Sequence, residues 1–224
     1  MQLFKIAIFS FYMFSSMGVT AQAAPDTVNF TTGGVFTKVE TEAEFPGGLE
    51  AWKKFLEKNL NAGVPVSNDA PAGKYAVTAI FIVDTDGSVS NIKPETKLGY
   101  GMEEEVVRVL QKSGKWTPAI FKGKPVKAYR RQPITFILDH PDLEISTEQL
   151  YTLFANTDNL VKVVAKKVKP EDIAMEIPGA RVVAAGDGSF TVRINKTGRV
   201  LAEFINSKKE KTIGTVSFEV KNKQ

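Results

Sequence analysis

The residues able to do chemistry are few, and each has a plainer reading beside the reactive one. His140 is the single histidine of the 224-residue chain, and no cysteine accompanies it. One imidazole without thiolates builds no metal cluster, and beside Pro141 it reads as a surface or structural residue. Asp84-Thr85-Asp86-Gly87 starts like a calcium-binding loop. The next acid at the required spacing and the glutamate at position twelve are missing, so a tight turn explains it better. Asp187-Gly188 is likewise a turn. Glu103-Glu104-Glu105 could supply a general acid or base, but acids at a helix start complement its dipole. Gly47-Gly48 and Gly99-Tyr100-Gly101 lack the context of a phosphate loop. Trp52 and Trp116 could stack on a sugar, against the usual reading of buried core. Lys122, Lys124, Lys127, Arg130 and Arg131 form the one local basic cluster. It either guards an edge strand or steers an acidic peptide, and both readings stay open. The inventory points to binding, with no enzyme activity, cofactor or metal site expected.

These residues must be positioned by a hairpin and two helices. Tyr75 to Val83 is β-branched and aromatic without internal Pro or Gly. Tyr75, Val77, Ala79, Phe81 and Val83 share one face, because strand side chains alternate. Gly87 closes the turn, and the return strand reaches Ile92. Leu49 to Leu60 and Met102 to Lys112 carry apolar stripes at helical spacing and are expected to cover the hairpin. Asn61 to Gly73 reads as a loop. Val126 to Leu138 reads as a last strand, and Pro133 places it at a sheet edge or an irregularity, since proline cannot donate to a ladder. The partner-binding residues expected there are Lys127, Arg130, Arg131, Pro133, Thr135, Phe136 and Leu138.

The composition is that of a folded protein, 43% hydrophobic and 24% charged. Glu148 to Gln224 carries a net +4 and Ala24 to Thr147 a net −1. Neither half is basic enough to argue for nucleic acid. At the start, Lys5, the uncharged run Ile6 to Val19 and Ala21-Gln22-Ala23 have the form of a signal peptide cut after Ala23. The run is shorter than the roughly 20 apolar residues a spanning helix needs. The expectation is an exported, periplasmic protein with no membrane span after cleavage. A leader, 24–38, follows, in which 34–40 could add a short strand.

Glu44-Phe-Pro-Gly-Gly, Asp86-Gly-Ser-Val, Gly99-Tyr-Gly with Glu103-Glu-Glu, Lys115-Trp-Thr-Pro-Ala, Gly123-Lys-Pro-Val and Pro133-Ile-Thr-Phe occur in this order. Together they resemble the C-terminal domain of TonB in its Bacteroidetes version, over roughly 39–138. The resemblance implies an antiparallel sheet with two helices on one face. It also implies binding of an extended segment of an outer-membrane transporter by strand addition, and a relay of energy from the inner membrane. If the signal peptide is cut as expected, no membrane anchor is retained, which is one departure from that transducer; the absence of a long Pro-rich linker is another, and the usual Tyr-Pro after the first helix is replaced by Val64-Pro65. Strand addition needs only an exposed edge, so binding is the expectation that survives.

Asp139 to Thr147 is polar, holds Pro141 and reads as a linker. Seven short strands then follow from Leu150 to Val220, separated by turn signals such as Pro178-Gly179 and Gly186-Asp-Gly188. That spacing predicts an immunoglobulin-type β-sandwich at 148–224. Phe154-Ala-Asn-Thr-Asp-Asn-Leu-Val-Lys-Val, Gly188-Ser-Phe and Thr197-Gly-Arg-Val are similar to the C-terminal sandwich of GldM, a periplasmic component of Bacteroidetes gliding and secretion machinery. The fold class expected is therefore α+β followed by an all-β sandwich. The function expected is a periplasmic adaptor for protein segments, those of TonB-dependent transporters among them. The alternatives are a scaffold of an envelope machine, or a true energy transducer if the N-terminus is retained.

Overall fold

The computed structural model describes residues 33–223. The expected signal peptide and most of the leader lie outside the described residues. The chain divides into two compact units. The first holds 33–64 and Ala76–Thr135, and the second holds Pro65–Tyr75 and the chain from Phe136 onward. The class is α+β and strand-rich.

In the first unit, α1 spans Gly48–Asn59 after Phe45-Pro46-Gly47. Its Trp52 and Leu56 are buried. The short α2, Gly63–Ser67, begins in this unit, gives Pro65 to Ser67 to the second, and lies where a loop is expected. Asn61 accounts for it locally, because its side-chain oxygen accepts from the Gly63 amide at 3.0 Å and caps the turn. The hairpin is β1, Ala72–Val83, and β2, Val89–Pro94, paired antiparallel with an irregularity between Ile80 and Ile82. β1 gives its first four residues to the second unit and the rest to the first. α3, Met102–Gln111, buries Met102, Val106, Val109 and Leu110, the predicted stripe. β3, Ala119–Phe121, and β4, Lys124–Val126, form a hairpin around Lys122 and Gly123, both at positive φ. Two residues in that conformation match the twist of the flanking strands. β5, Ala128–Leu138, pairs with β1.

One aromatic cluster holds this unit together. Trp116 stands edge-on to Phe81 of β1 at 5.0 Å and to Trp52 of α1 at 5.4 Å, and Phe45 closes on Trp52 at 5.2 Å. Trp52 and Trp116 are thus core residues, not a sugar platform, and such ring pairs add to the area they bury.

In the second unit, β6, Leu143–Ser146, falls inside the segment read as a linker. Its Leu143 and Ile145 are buried while Glu144 and Ser146 are exposed, a strand period that the surrounding polarity hides. Then come β7, Thr152–Phe154, β8, Asp158–Ala165, a 3₁₀ turn at Pro170–Asp172, β9, Ile173–Glu176, β10, Arg181–Ala184, β11, Ser189–Arg193, β12, Gly198–Asn206, and β13, Lys211–Lys221. β9, β12 and β13 pair in that order, and β7 joins β13 in parallel. A second sheet runs β10-β11-β8-β6. Val161 and Val163 of β8, Phe190 and Val192 of β11, and Phe204 and Phe218 of β12 and β13 are all buried. The start of β1 docks here. Ala72 and Gly73 pair in parallel with Val216 and Ser217, and Arg199 donates to the Lys74 carbonyl at 3.1 Å while lying 4.3 Å over the Tyr75 ring.

Candidate binding edge

The expected partner-binding residues fall on one element, β5 and the residue before it, but in two different environments. Phe36 donates its amide to the Lys127 carbonyl at 2.9 Å and accepts from the Tyr129 amide at 3.0 Å. No strand forms over 34–40, where one was expected; Phe36 makes an isolated parallel bridge to Ala128 instead. It also reveals which way β5 faces. Peptide groups along a strand point alternately to its two sides. Lys127 and Tyr129 face Phe36, so Arg131, Pro133 and Thr135 turn their backbone groups to the same side, away from β1. Among the described residues nothing pairs with that side of β5 beyond Tyr129. Pro133 sits where a missing N–H disturbs no ladder bond, which is why proline is tolerated in the strand.

The cations are not free. Lys127 pairs with Asp84 at 2.8 Å, and Arg131 grips both oxygens of Glu95 at 2.9 and 3.0 Å. The Lys127 ammonium, with the Thr85 amide, holds the Asp84 carboxyl below the usual carboxylate range. Arg130 is the loosely held one. Glu42 lies 3.7 Å away and Gln132 3.4 Å, and its buried Nε has no partner. The last residues of β5 are different again. Thr135, Phe136 and Leu138 are buried, so their side chains pack the core and offer nothing to an incoming chain. The reachable stretch of this edge is Arg130 to Pro133, where the side chains are half-buried or exposed.

The acids singled out as chemical candidates have structural employment. Asp84 accepts from the Thr85 amide and Asp86 from the Ser88 amide within the turn. Lys115, first, and Ser88 depress the Asp86 carboxyl far below its ordinary value. Glu103 accepts from the Leu98 and Gly99 amides at 2.6 and 3.1 Å and so fastens the loop ahead of α3. Glu105 does more than complement a dipole, because it accepts from the Asn61 amide and from Arg108. Sequence reading missed these two tertiary roles, since a first-turn acid looks the same whether it faces water or a loop. His140 accepts the Asp142 amide on Nδ1 and is held below its ordinary pKa by burial, with Asp142 opposing the shift. Among the described residues no group of three or more potential ligands could hold a metal, and no helix is long and apolar enough to cross a membrane.

Residues 76–138 match the family model of the Gram-negative bacterial TonB protein C-terminal. The matched stretch runs from within β1 to the end of β5 and so contains the edge just described. No curated protein matches the chain.

Proposed function

We propose that the protein is an exported periplasmic adaptor that binds extended segments of envelope proteins by strand addition along the open side of β5. The observation that carries this is the position of that edge: it lies inside the stretch matching the TonB C-terminal family, and its backbone groups at Arg131 and Pro133 have no strand partner among the described residues. Backbone bonds supply affinity in this mode with little demand on sequence, and alternate side chains supply specificity. Arg130, whose terminal nitrogens have only Glu42 at 3.7 Å and Gln132 at 3.4 Å, favours an acidic or acid-flanked segment directly, while Lys127 and Arg131, already paired with Asp84 and Glu95, contribute only to the field that steers it. Thr135, Phe136 and Leu138 shape the strand from the core. The family match supports a binding protein in place of an enzyme, and a periplasmic setting with outer-membrane transporter segments as partners.

The second unit is, in this reading, an immunoglobulin-like sandwich similar to the GldM C-terminal domain and a contact module of its own. Strand order supports it. With β6 and β7 together as the first strand, β10-β11-β8-β6 corresponds to one immunoglobulin sheet and β9-β12-β13 to the other.

Amide spectra of the full chain, titrated with a peptide copied from the periplasmic end of an outer-membrane transporter, test the adaptor reading. The Arg131 and Thr135 amides should shift, and reversing charge at Lys127, Arg130 and Arg131 should slow association. Binding with those amides unmoved would refute strand addition at β5.

A further inference from the structure

We infer that β10 is a second acceptor strand, which takes an extended segment carrying an acidic and an aliphatic residue two positions apart. This inference rests on the second unit alone and is independent of the β5 reading. β10 lies at the end of its sheet and, among the described residues, is bonded to β11 alone. The Ala185 amide donates to the Ser189 carbonyl at 2.9 Å, so Ala185 faces β11. Val183 and Arg181 then face β11 too, in register with Thr191 and Arg193. The backbone groups of Val182 and Ala184 are left pointing outward. The Ala180 amide is already used by Ile177, which sets the limit of the free edge.

This edge lacks most of the devices that protect edges. Its register with β11 is unbroken from Arg181 to Ala184, with no bulge, lysine or proline. Shortness and one charge, Arg181, are its only guards. The charge itself points to a ligand. Arg181 stands directly opposite Arg193, and like charges facing across a pair are unfavourable. Asp158 pairs with Arg193 at 3.0 Å, while no carboxylate among the described residues pairs with Arg181. Beside the two arginines, Val183 and Leu160 are 49% and 59% exposed, on either side of Thr191 in one cross-strand row. Asp158, Arg181, Val183, Thr191 and Arg193 line a depression of about 370 Å³ on this face.

The spacing of those features sets the ligand pattern. Side chains alternate along a strand, so Arg181 and Val183 lie on the same face two residues apart. A strand added at Val182 and Ala184 places its own same-face residues beside them. The fitting sequence is therefore acidic-x-aliphatic, or the reverse order in the opposite strand direction. The carboxylate completes the unpaired Arg181, and the aliphatic residue covers Val183.

The test uses the full chain and two synthetic hexapeptides of alternating pattern, one with Glu-Thr-Val at its centre and one with Lys-Thr-Val. Hydrogen exchange at the Val182 and Ala184 amides should slow on adding the Glu peptide. Its affinity should exceed that of the Lys peptide by about fivefold, the upper range for an exposed ion pair. Arg181→Glu should invert that preference while the far-UV spectrum stays unchanged. Unaltered exchange at Val182 and Ala184 at saturating peptide overturns strand addition at β10. A preference that ignores the Arg181 substitution overturns the assigned role of Arg181, and would mean that it only guards the edge.

Discussion

Glu105 and Arg108 form a two-pronged pair one turn apart on α3, with both contacts at 2.6 Å. The pair extends beyond its helix. Glu105 also accepts the Asn61 amide at 2.6 Å, and Arg108 also donates to the Asn59 carbonyl at 2.6 Å. Two side chains of α3 thus satisfy the C-terminal end of α1, where backbone groups lack helical partners. The Glu105 side chain is 4% exposed and that of Arg108 39%. Removing the carboxylate takes the acceptor from the part-buried Asn61 amide and leaves the Arg108 guanidinium with the Asn59 carbonyl but no counter-charge. Glu105→Ala should cost about 3 kcal/mol, the low end for breaking a buried pair because Arg108 retains water. Glu105→Gln keeps an acceptor for Asn61 and should cost about 1 kcal/mol. Urea denaturation of the two variants measures both values, and equal losses would show that the Asn61 bond contributes nothing.

Gly87 makes a second specific demand. Its φ is +84°, and a Cβ there would stand 2.2 Å from the Trp116 carbonyl oxygen. Backbone cannot swing aside as a side chain does. The same residue accepts the Trp116 amide at 2.9 Å, so the hairpin turn is fastened to the segment between α3 and β3 that brings Trp116 into the aromatic cluster. Gly87→Ala should cost about 3 kcal/mol from strain alone and should redden the tryptophan emission as Trp116 loses its burial. An unchanged spectrum and melting point would disprove the coupling of turn and cluster.

Much of the fold was legible because its signals are local. The stripes of α1 and α3, and the alternation of β1, β8 and β11, are periodic patterns visible in any short window. The predicted helix starting at Leu49 begins at Gly48, and the one starting at Met102 begins there. What was hidden depends on distant partners. β6 looked like linker because two buried residues among polar neighbours give too short a pattern. α2 depends on a cap from Asn61, itself placed by Glu105, 44 residues away. At the candidate edge, Pro133 marked a strand that beyond Tyr129 has no partner on one side among the described residues. The charges beside it were misleading in isolation, since Asp84 and Glu95, which engage Lys127 and Arg131, lie 43 and 36 positions earlier in the chain.

Pro133 itself can be used to probe the edge. It contributes a carbonyl but no donor to the open side of β5. Pro133→Ala restores an N–H there, flanked by those of Arg131 and Thr135. The variant should bind a strand-adding peptide about fivefold more tightly, the gain from one net hydrogen bond. It should also self-associate more readily, because an edge with a complete row of donors is a template for another edge. Sedimentation velocity and peptide titration read the two effects. If neither changes, the outward side of β5 is not where a strand adds.

His140 and Gly214 allow a prediction about pH. A Cβ on Gly214 would lie 2.1 Å from Nε2 of His140, so the imidazole rests where only glycine leaves room. Gly214 lies in β13 beside the register shift that separates Phe204 from Ile205 in β12. Burial there lowers the imidazole pKa from its usual value near 6.5, and the Asp142 carboxylate only partly offsets this. The unfolded chain therefore binds the proton more readily than the folded one. The contribution of His140 to stability is complete above pH 6.5 and is lost as pH falls through that value toward the lower folded pKa. Gly214→Ala leaves the backbone unstrained, since Gly214 does not adopt a positive φ. The obstructed group is the tip of a side chain, which can turn out toward water, so the cost should be about 1 kcal/mol. In the variant, the His140 ring protons should titrate near 6.5, the value of an exposed imidazole. The part of the stability loss below about pH 6.5 that His140→Gln removes from the parent should already be absent. Proton NMR titration of the single histidine makes this measurable without assignment. A ring that titrates at the same pH in parent and variant would show that Gly214 does not hold His140 in place.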